Sequence, residues 1–273
     1  MQYLKVAAAQ FHLIDGDLPY NMRQAESMIA RVKQEKNVDL MVFCEACLDN
    51  FGSNQRLLHE YAEADMQAVA SFWARMAKEA GFAILAGFLG KNQKGQWQNY
   101  AACFTPEGTI LGKYAKSHLY MQERDLFIPG DDPVVFTYKG WRIAPLLCAD
   151  LGFPEFSRIQ AYQGVDLFLA PSCWAYPHDT LWRLCNRLRA AENTAYLVSC
   201  NRYGPQAGGR LNLGHSMAVN PKGEVIADLG TGEDCYFIAN LNKAEIQAER
   251  QLCHWLQWVR PGLYKEQLSN DKI

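Results

Sequence analysis

The chain reads as an α/β protein, a four-layer α-β-β-α sandwich of two mixed sheets with helices on their outer faces, and two observations predict this. Up to about residue 148, short apolar runs alternate with segments of helical periodicity in the order strand-helix-strand-helix-strand and then pass into hairpins; similar material follows. Two such halves, each a sheet covered by helices on one face, leave two bare apolar faces that can bury one another. At 273 residues the chain is long enough to enclose a large core. No Gly/Ser-rich or Pro-rich stretch divides it as a linker would, so residues 1–273 are read as one domain.

Each element has its own justification. Residues 3–10 (Tyr-Leu-Lys-Val-Ala-Ala-Ala-Gln) are mostly apolar and predict a strand buried on both faces. After a turn at Asp15-Gly16-Asp17, residues Met22, Ala25, Met28, Ile29 and Val32 recur at helical spacing and predict a helix over 21–34. Residues 38–44 predict a second buried strand, and Glu45 follows it, where a carboxylate has no packing role. A helix over 64–80 turns Met66, Val69, Ala70, Phe72, Trp73 and Met76 inward, and 82–89 is a third strand. Residues 97–104 and 110–114 flank Pro106-Glu107-Gly108 and predict a hairpin, with Lys116 and His118 just beyond it. The irregular segment 122–132 holds Glu123 and Pro129-Gly130. A second hairpin, 134–138 with 142–147 around Lys139-Gly140, leads into Cys148. A helix over 156–163 and a strand over 165–170 follow, then the loop Pro171-Ser172-Cys173-Trp174. A helix over 180–193 precedes strands at 195–200, 215–220, 224–228 and 235–240, and a helix over 243–251 with a polar tail closes the chain.

Composition narrows the function. A net charge of -2 gives no electrostatic reason to expect nucleic acid or an anionic membrane as partner, and favours a small neutral or mildly charged molecule. The apolar run at the start carries Lys5 and is too short for a signal h-region, and nowhere do about 18 apolar residues follow one another, so a soluble protein is expected. Nine cysteines, an odd number scattered along the chain, suggest reduced thiols in a cytoplasm. The pair Cys44 and Cys47 has CxxC spacing, which admits redox or zinc chemistry, but Cys253-His254 lacks the spacing to complete a zinc site. His12, His59, His118, His178 and His215 form no HExxH arrangement. No metal and no cofactor are expected.

Cys148 stands at the exit of an apolar run, ahead of Gly152, Pro154 and a helical segment. That is a strand-to-helix turn, where α/β folds open their crevices and where the first N–H groups of a helix can stabilise negative charge. A lone cysteine in such a place is more often a small buried hydrophobe. A thiol is also only a few per cent ionised at about pH 7, so a cysteine nucleophile needs a base or a cation beside it. Glu45 could be that base and Lys116 that cation.

The segments Val42-Phe43-Cys44-Glu45, Tyr114-Ala115-Lys116-Ser117-His118-Leu119 and Leu147-Cys148-Ala149-Asp150-Leu151-Gly152-Phe153-Pro154-Glu155 resemble the three catalytic motifs of the nitrilase superfamily, the carbon-nitrogen hydrolases. The resemblance covers nearly the whole chain: Ala8-Ala9-Gln10 is similar to that family's first strand, Arg189-Ala190-Ala191-Glu192-Asn193 to its RARAIEN helix, and Arg260-Pro261-Gly262-Leu263-Tyr264 to its RRPDLY ending. It implies a Glu-Lys-Cys triad in which Cys148 attacks an amide carbonyl, Glu45 moves the protons, and Lys116 with the backbone N–H of Ala149 holds the oxyanion. Glu123, seven residues before Gly130 as in the family's E-x6-G pattern, resembles a second glutamate that orients Lys116 and the substrate. Pairing into a homodimer or larger assembly is likewise implied by resemblance, with residues 243–273 expected to contribute contacts.

This chain also departs from the family pattern. Cys44 stands where a proline usually precedes the glutamate. Ala149-Asp150-Leu151-Gly152 replaces Tyr-Asp-Leu-Arg, which removes a candidate substrate contact, and Leu181-Trp182 replaces the His-Trp of some amidases. The absence of Trp-Glu after the nucleophile favours amides over nitriles. Phe51, Tyr120, Ala149 and Trp174 are candidate substrate-lining residues, and no acidic or basic residue stands out as a partner for a charged substrate tail.

The expected activity is a metal-independent amidase acting on a small carboxylic amide and releasing ammonia. An N-carbamoyl amino acid hydrolase, a nitrilase and a catalytically inactive ligand-binding protein of the same fold are the alternatives. A papain-like pair of Cys148 with His118 lacks a visible group to orient the imidazole. Gly214-His215-Ser216-Met217-Ala218 matches GxSxG imperfectly, at a strand start rather than an elbow. The stretch 108–113 has no P-loop spacing.

Overall fold

A computed structural model describes residues 1–35, 37–48 and 63–263. Its strands are β1 (Tyr3–Gln10), β2 (Leu40–Val42), β3 (Ala83–Lys91), β4 (Trp97–Phe104), β5 (Ile110–Ala115), β6 (Phe136–Tyr138), β7 (Trp141–Pro145), β8 (Leu167–Ser172), β9 (Tyr196–Asn201), β10 (Tyr203–Gln206), β11 (Arg210–Leu213), β12 (Met217–Val219), β13 (Val225–Asp228) and β14 (Cys235–Asn242). The helices are α1 (Leu18–Lys33), α2 (Glu63–Ala80), α3 (Glu123–Leu126), α4 (Pro154–Ala161), α5 (Asp179–Glu192) and α6 (Lys243–Leu252). No helix among the described residues is long and apolar enough to cross a membrane.

Two six-stranded mixed sheets carry the sandwich, in the orders β14-β1-β2-β3-β4-β5 and β13-β12-β9-β8-β7-β6, and β10 pairs with β11 as a separate hairpin. Along the first sheet the pairings run antiparallel, parallel, parallel, antiparallel, antiparallel. The second gives the same series when read from β6 to β13. The duplication expected from the sequence is therefore present, but its boundary is corrected. The second unit begins at β6, before Cys148, and the outermost strand of the first unit is supplied by β14 from the far end of the chain.

Alternation along the strands builds the layers. Leu167 and Leu169 of β8 and Val198 of β9 point between the sheets, into a cluster that also holds Val6, Ala8 and Leu85 of the first sheet. Their neighbours Phe168, Ala170 and Leu197 point the other way, against Phe156 and Ala161 of α4 and Trp182, Cys185 and Ala190 of α5. Both faces of β8 and β9 are thus apolar and covered, which is why these strands read as continuous hydrophobic runs. On the outer side of the first sheet, α1 buries Ala25, Met28, Ile29 and Val32.

Element ends differ from expectation where local chemistry intervenes. β2 stops at Val42, so Glu45 lies in a turn three residues on rather than at the last rung of the strand. β7 stops at Pro145, the Leu146 N–H makes a last bond to the Leu169 carbonyl of β8 at 2.9 Å, and Cys148 opens a 3-10 turn over Cys148–Gly152 that precedes α4. The hairpin β10-β11, turning at Gly208-Gly209, was not anticipated.

Buried polar groups tie the two units together. Gln10 accepts from the Ser216 backbone N–H at 3.0 Å and donates to the carbonyls of Gly230 and Gly232 at 3.0 and 2.6 Å. Arg202, 1% exposed, meets Asp15 at 2.5 Å and donates to the Leu13 carbonyl at 3.0 Å, while Asp15 accepts from the Ala207 N–H at 2.6 Å. This pair fixes the base of the β10-β11 hairpin to the segment after β1. Removing one member of a buried pair strands the other charge. Arg202→Met should therefore lower unfolding stability by about 3 kcal/mol in urea denaturation, and an unchanged midpoint and slope would show that the pair does not anchor the hairpin.

Candidate active site

Glu45, Lys116, Glu123 and Cys148 line one cavity, although their positions span more than 100 residues. Three strand ends bring them together. Lys116 follows β5, its backbone N–H bonded to the Asn99 carbonyl at 2.8 Å and its carbonyl accepting from Gly130 at 2.9 Å. Glu45 lies beyond β2, in a turn held against β3 by Phe43 N–H to the Leu85 carbonyl at 2.9 Å and Cys47 N–H to the Gly87 carbonyl at 3.3 Å. Gly87 is required here: a Cβ on it would meet the Ala46 nitrogen at 2.6 Å and the Glu45 Cα at 2.8 Å.

The Lys116 ammonium, 2% exposed, donates to Glu45 Oε1 at 2.6 Å and to Glu123 Oε2 and Oε1 at 2.7 and 3.0 Å. Burial alone would lower its pKa. The carboxylates of Glu45 and Glu123 outweigh that and hold it well above the ordinary lysine value. Asn99, not anticipated as a site residue, donates through Nδ2 to Glu45 Oε1 at 2.9 Å and to Glu123 Oε1 at 3.2 Å, bridging the two carboxylates. Its signal was a lone amide within the otherwise apolar inward register of β4. Glu123 also accepts from the Tyr120 N–H at 2.7 Å.

Cys148 takes the left-handed backbone conformation, with φ at 51°, which costs energy for a residue with a Cβ and turns the chain sharply between strand and helix. The buried carboxylate of Asp150 over-determines that turn. Asp150 accepts from the Leu147 N–H at 2.8 Å, the Tyr114 hydroxyl at 2.7 Å and the His118 N–H at 3.1 Å, and meets His118 Nδ1 at 2.8 Å. Arg189 Nε donates to the Leu151 carbonyl at 3.0 Å and the guanidinium pairs with Glu192, so the Arg189-to-Asn193 motif braces the turn from α5. Burial, with the Glu45 carboxylate nearby, pushes the Cys148 thiol well above its ordinary pKa despite Lys116, so sulfur rests protonated.

Of the expected substrate-lining residues, Tyr120, Ala149 and Trp174 face a second lobe that shares Cys148 and Cys173 with the first. Trp174 Nε1 donates to the Cys148 carbonyl at 3.2 Å. Phe51 lies outside the described residues. The reading that no charged residue stands by for a substrate tail is corrected: Arg210, on the unanticipated hairpin, lines both lobes.

The competing chemistries find no support in the geometry. His118 does have an orienting carboxylate, Asp150, contrary to expectation, but its ring stacks on Phe153 at 3.8 Å and lines neither lobe. Ser216 is buried, its hydroxyl donating to the Asn201 carbonyl at 3.3 Å. Cys44 and Cys47 are buried; hydrogen bonding to Cys173 draws the Cys44 thiol down, but Cys47 and burial push it up, well above the ordinary value. Among the described residues, no group of three or more His, Cys, Asp or Glu is arranged to hold a metal ion.

Known proteins share this architecture. The carbon-nitrogen hydrolase family profile matches residues 5–251. The chain is 30% identical over 267 residues to an (R)-stereoselective amidase from Pseudomonas sp, spanning 98% of this chain and 95% of that protein. It is 30% identical over 253 residues to the omega-amidase YafV of Yersinia enterocolitica, spanning 92% and 94%. An amidase from Nesterenkonia sp. superposes with a TM-score of 0.87 at 25% identity, over 97% of this chain and 96% of that one. A mutant of that amidase, with the same score, identity and 97% coverage of both chains, carries the acetamide moiety of fluoroacetamide covalently on its active-site cysteine. The match over most of its length establishes that this chain belongs to the carbon-nitrogen hydrolase family, within the nitrilase superfamily.

Proposed function

We propose that the protein is an amidase that hydrolyses a small linear carboxylic amide to its acid and ammonia through a thioester on Cys148. The observation that carries this reading is the ammonium of Lys116 held at 2.6 Å from Glu45 and 2.7 Å from Glu123 in the cavity that Cys148 lines. The names of its relatives, amidases and omega-amidases, point the same way.

The electrostatics suit a base-assisted thiol. Two carboxylates and one ammonium leave this centre with one net negative charge, so ionising Cys148 ahead of substrate would place two negative charges together. When sulfur instead bonds to the amide carbon as Glu45 takes the thiol proton, the negative charge passes from Glu45 to the carbonyl oxygen. Lys116 and the N–H groups opening the 3-10 turn, Ala149 among them, meet it there. Collapse breaks the C–N bond while Glu45 returns its proton to the leaving nitrogen, which departs as ammonia. Water then attacks the thioester, giving a proton to Glu45; the C–S bond breaks, the proton goes back to sulfur, and the acid leaves. A positioned base contributes roughly 10²- to 10⁴-fold and oxyanion donors roughly 10²- to 10³-fold.

The test is ammonia release from parallel panels of aliphatic amides, ω-amides, nitriles and N-carbamoyl amino acids, with acid-quenched samples searched by mass spectrometry for an acyl adduct on Cys148. Amides should turn over, and Cys148→Ala should lose at least ~10³-fold in rate while remaining folded by circular dichroism. Turnover of N-carbamoyl compounds with every amide inert would replace the reading with an N-carbamoyl hydrolase.

Asn99 provides a separate check on the carboxylate bridge. Asn99→Leu keeps the volume but removes the donor that Glu45 and Glu123 share. It should lower kcat roughly 10-fold or more with little change in KM. An unchanged kcat would mean that Asn99 serves packing alone.

A further inference from the structure

Among the described residues two cysteines line the catalytic cavity, and the mechanism proposed above uses one of them. Cys148 and Cys173 border both the polar lobe, with Glu45, Lys116 and Asn99, and the apolar lobe, with Ala149, Trp174 and Leu181. Their proximity follows from the topology. β7 and β8 are parallel neighbours with Pro145 level with Leu169, and the Leu146 N–H adds a bond to the Leu169 carbonyl. Cys148 follows the end of β7 and Cys173 the end of β8, so both thiols emerge at the same edge of the sheet from adjacent strands. Trp174, next in sequence to Cys173, donates through Nε1 to the Cys148 carbonyl at 3.2 Å. Adjacent strands lie about 4.8 Å apart and a disulfide joins Cα atoms about 5.5 Å apart, so the spacing of the scaffold suits a bond between the two sulfurs.

Cys173 takes no part in the proposed amide cleavage, yet it is held beside the catalytic base. Its Sγ donates to the Glu45 carbonyl at 3.4 Å, and its thiol hydrogen-bonds with that of Cys44, the residue before Glu45. Hydrogen bonding to Cys44, then burial, push the Cys173 thiol well above its ordinary pKa, so both cavity sulfurs rest protonated. A protonated thiol is a poor nucleophile unless a base takes its proton as it attacks. Glu45 is that base for Cys148, and its chemistry does not restrict the electrophile to a carbonyl carbon. A small hydroperoxide can use the same cavity. A neighbouring thiol then decides whether the oxidised sulfur is trapped as a disulfide or climbs to irreversible acids.

We propose that Cys148 and Cys173 form an oxidative modification site, in which a hydroperoxide converts the catalytic thiol to a sulfenic acid and Cys173 resolves it as an intramolecular disulfide. With hydrogen peroxide, the Cys148 sulfur attacks one peroxide oxygen while Glu45 takes the thiol proton. The O–O bond breaks, and the departing oxygen takes that proton back and leaves as water. The Cys173 sulfur then attacks the Cys148 sulfur; the S–O bond breaks, and hydroxide leaves with the Cys173 proton as a second water. Two thiols have lost two electrons and two protons, and one hydrogen peroxide has been reduced to two waters. The disulfide withdraws the nucleophile until a reducing thiol restores both cysteines by exchange. Without Cys173, the Cys148 sulfur advances to sulfinic and sulfonic acids. This chemistry needs the Glu45 base and the Cys148 thiol of the amidase reading, but not its substrate.

The experiment treats the reduced wild type, Cys173→Ser, Cys173→Ala and Cys44→Ser with a small excess of hydrogen peroxide and alkylates the remaining thiols. Unreduced peptide maps are read by mass spectrometry, and ammonia release is measured before and after dithiothreitol on unalkylated samples, each protein against its own untreated rate. The wild type should yield a Cys148–Cys173 cross-linked peptide and regain most of its rate on reduction. Both Cys173 variants should lack the cross-link, carry sulfinic or sulfonic acid on Cys148 and regain less than about a tenth of their rate. Cys44→Ser should keep the cross-link; its loss there would make Cys44 the resolving thiol and overturn the assignment to Cys173. A wild type in which Cys148 is oxidised without a link, or in which Cys173 links to Cys44 instead, overturns the proposal, as does equal recovery with and without Cys173. Should one Cys173 variant misfold by circular dichroism, the other and the wild-type map still decide. A wild type inert toward every amide, yet cross-linked between Cys148 and Cys173, would sink the amidase reading and retain the thiol pair; amide turnover with no cross-link would do the reverse.

Discussion

A buried ammonium between two carboxylates governs this site. Lys116 is almost fully enclosed, and a charge so placed is tolerated only when its donors are satisfied. Glu45 and Glu123 meet that demand, and Asn99 supplies each of them with a further donor. The arrangement leaves the centre one charge short of neutral. A thiol beside it stays protonated, and a reaction that only relocates the existing negative charge costs less than one that creates a new charge. The proposed mechanism follows from that constraint: the carboxylate that holds the lysine at rest becomes the base during attack.

The sandwich exists, in functional terms, to hold three strand ends at fixed separation. Glu45 leaves the first sheet after β2, Lys116 leaves the same sheet after β5, and Cys148 leaves the second sheet after β7. Their mutual geometry therefore depends on how one sheet sits on the other. Gln10 and the Arg202–Asp15 pair, buried polar contacts between the units, are costly to break and so fix that relation. The positive φ of Cys148 is affordable because Asp150 and Arg189 hold the turn from two sides.

Much of this was legible in the sequence because the decisive residues violate local expectation. A glutamate ending an apolar strand, a lysine just past a hairpin and a cysteine ahead of a Gly-Pro turn each stand out against their surroundings, and the family resemblance joins them. Glu123 was legible only through its spacing from Gly130. What was missed depends on contacts far apart in the chain. Asn99 looks like one polar residue in a strand until Glu45, distant in sequence, folds against it. Arg210 looks like a surface arginine, since the β10-β11 hairpin gains its place from pairing with the loop after β8. The duplication was visible, but the exchange of β14 onto β1 was not, because edge-strand identity is settled by tertiary pairing. The carboxylate that orients His118 was overlooked, although Asp150 lies only two residues from the nucleophile.

That the charge of Lys116 is spent on its two carboxylates, leaving Cys148 a neutral thiol, can be measured directly. A titration of ultraviolet thiolate absorbance, taken as the difference between the wild type and Cys148→Ala, isolates that sulfur from the other eight. No thiolate signal from Cys148 is expected at about pH 7, with onset only above the ordinary thiol value of 9.0. A full thiolate signal at neutral pH would mean that Lys116 pairs with sulfur rather than with the carboxylates, and would contradict it.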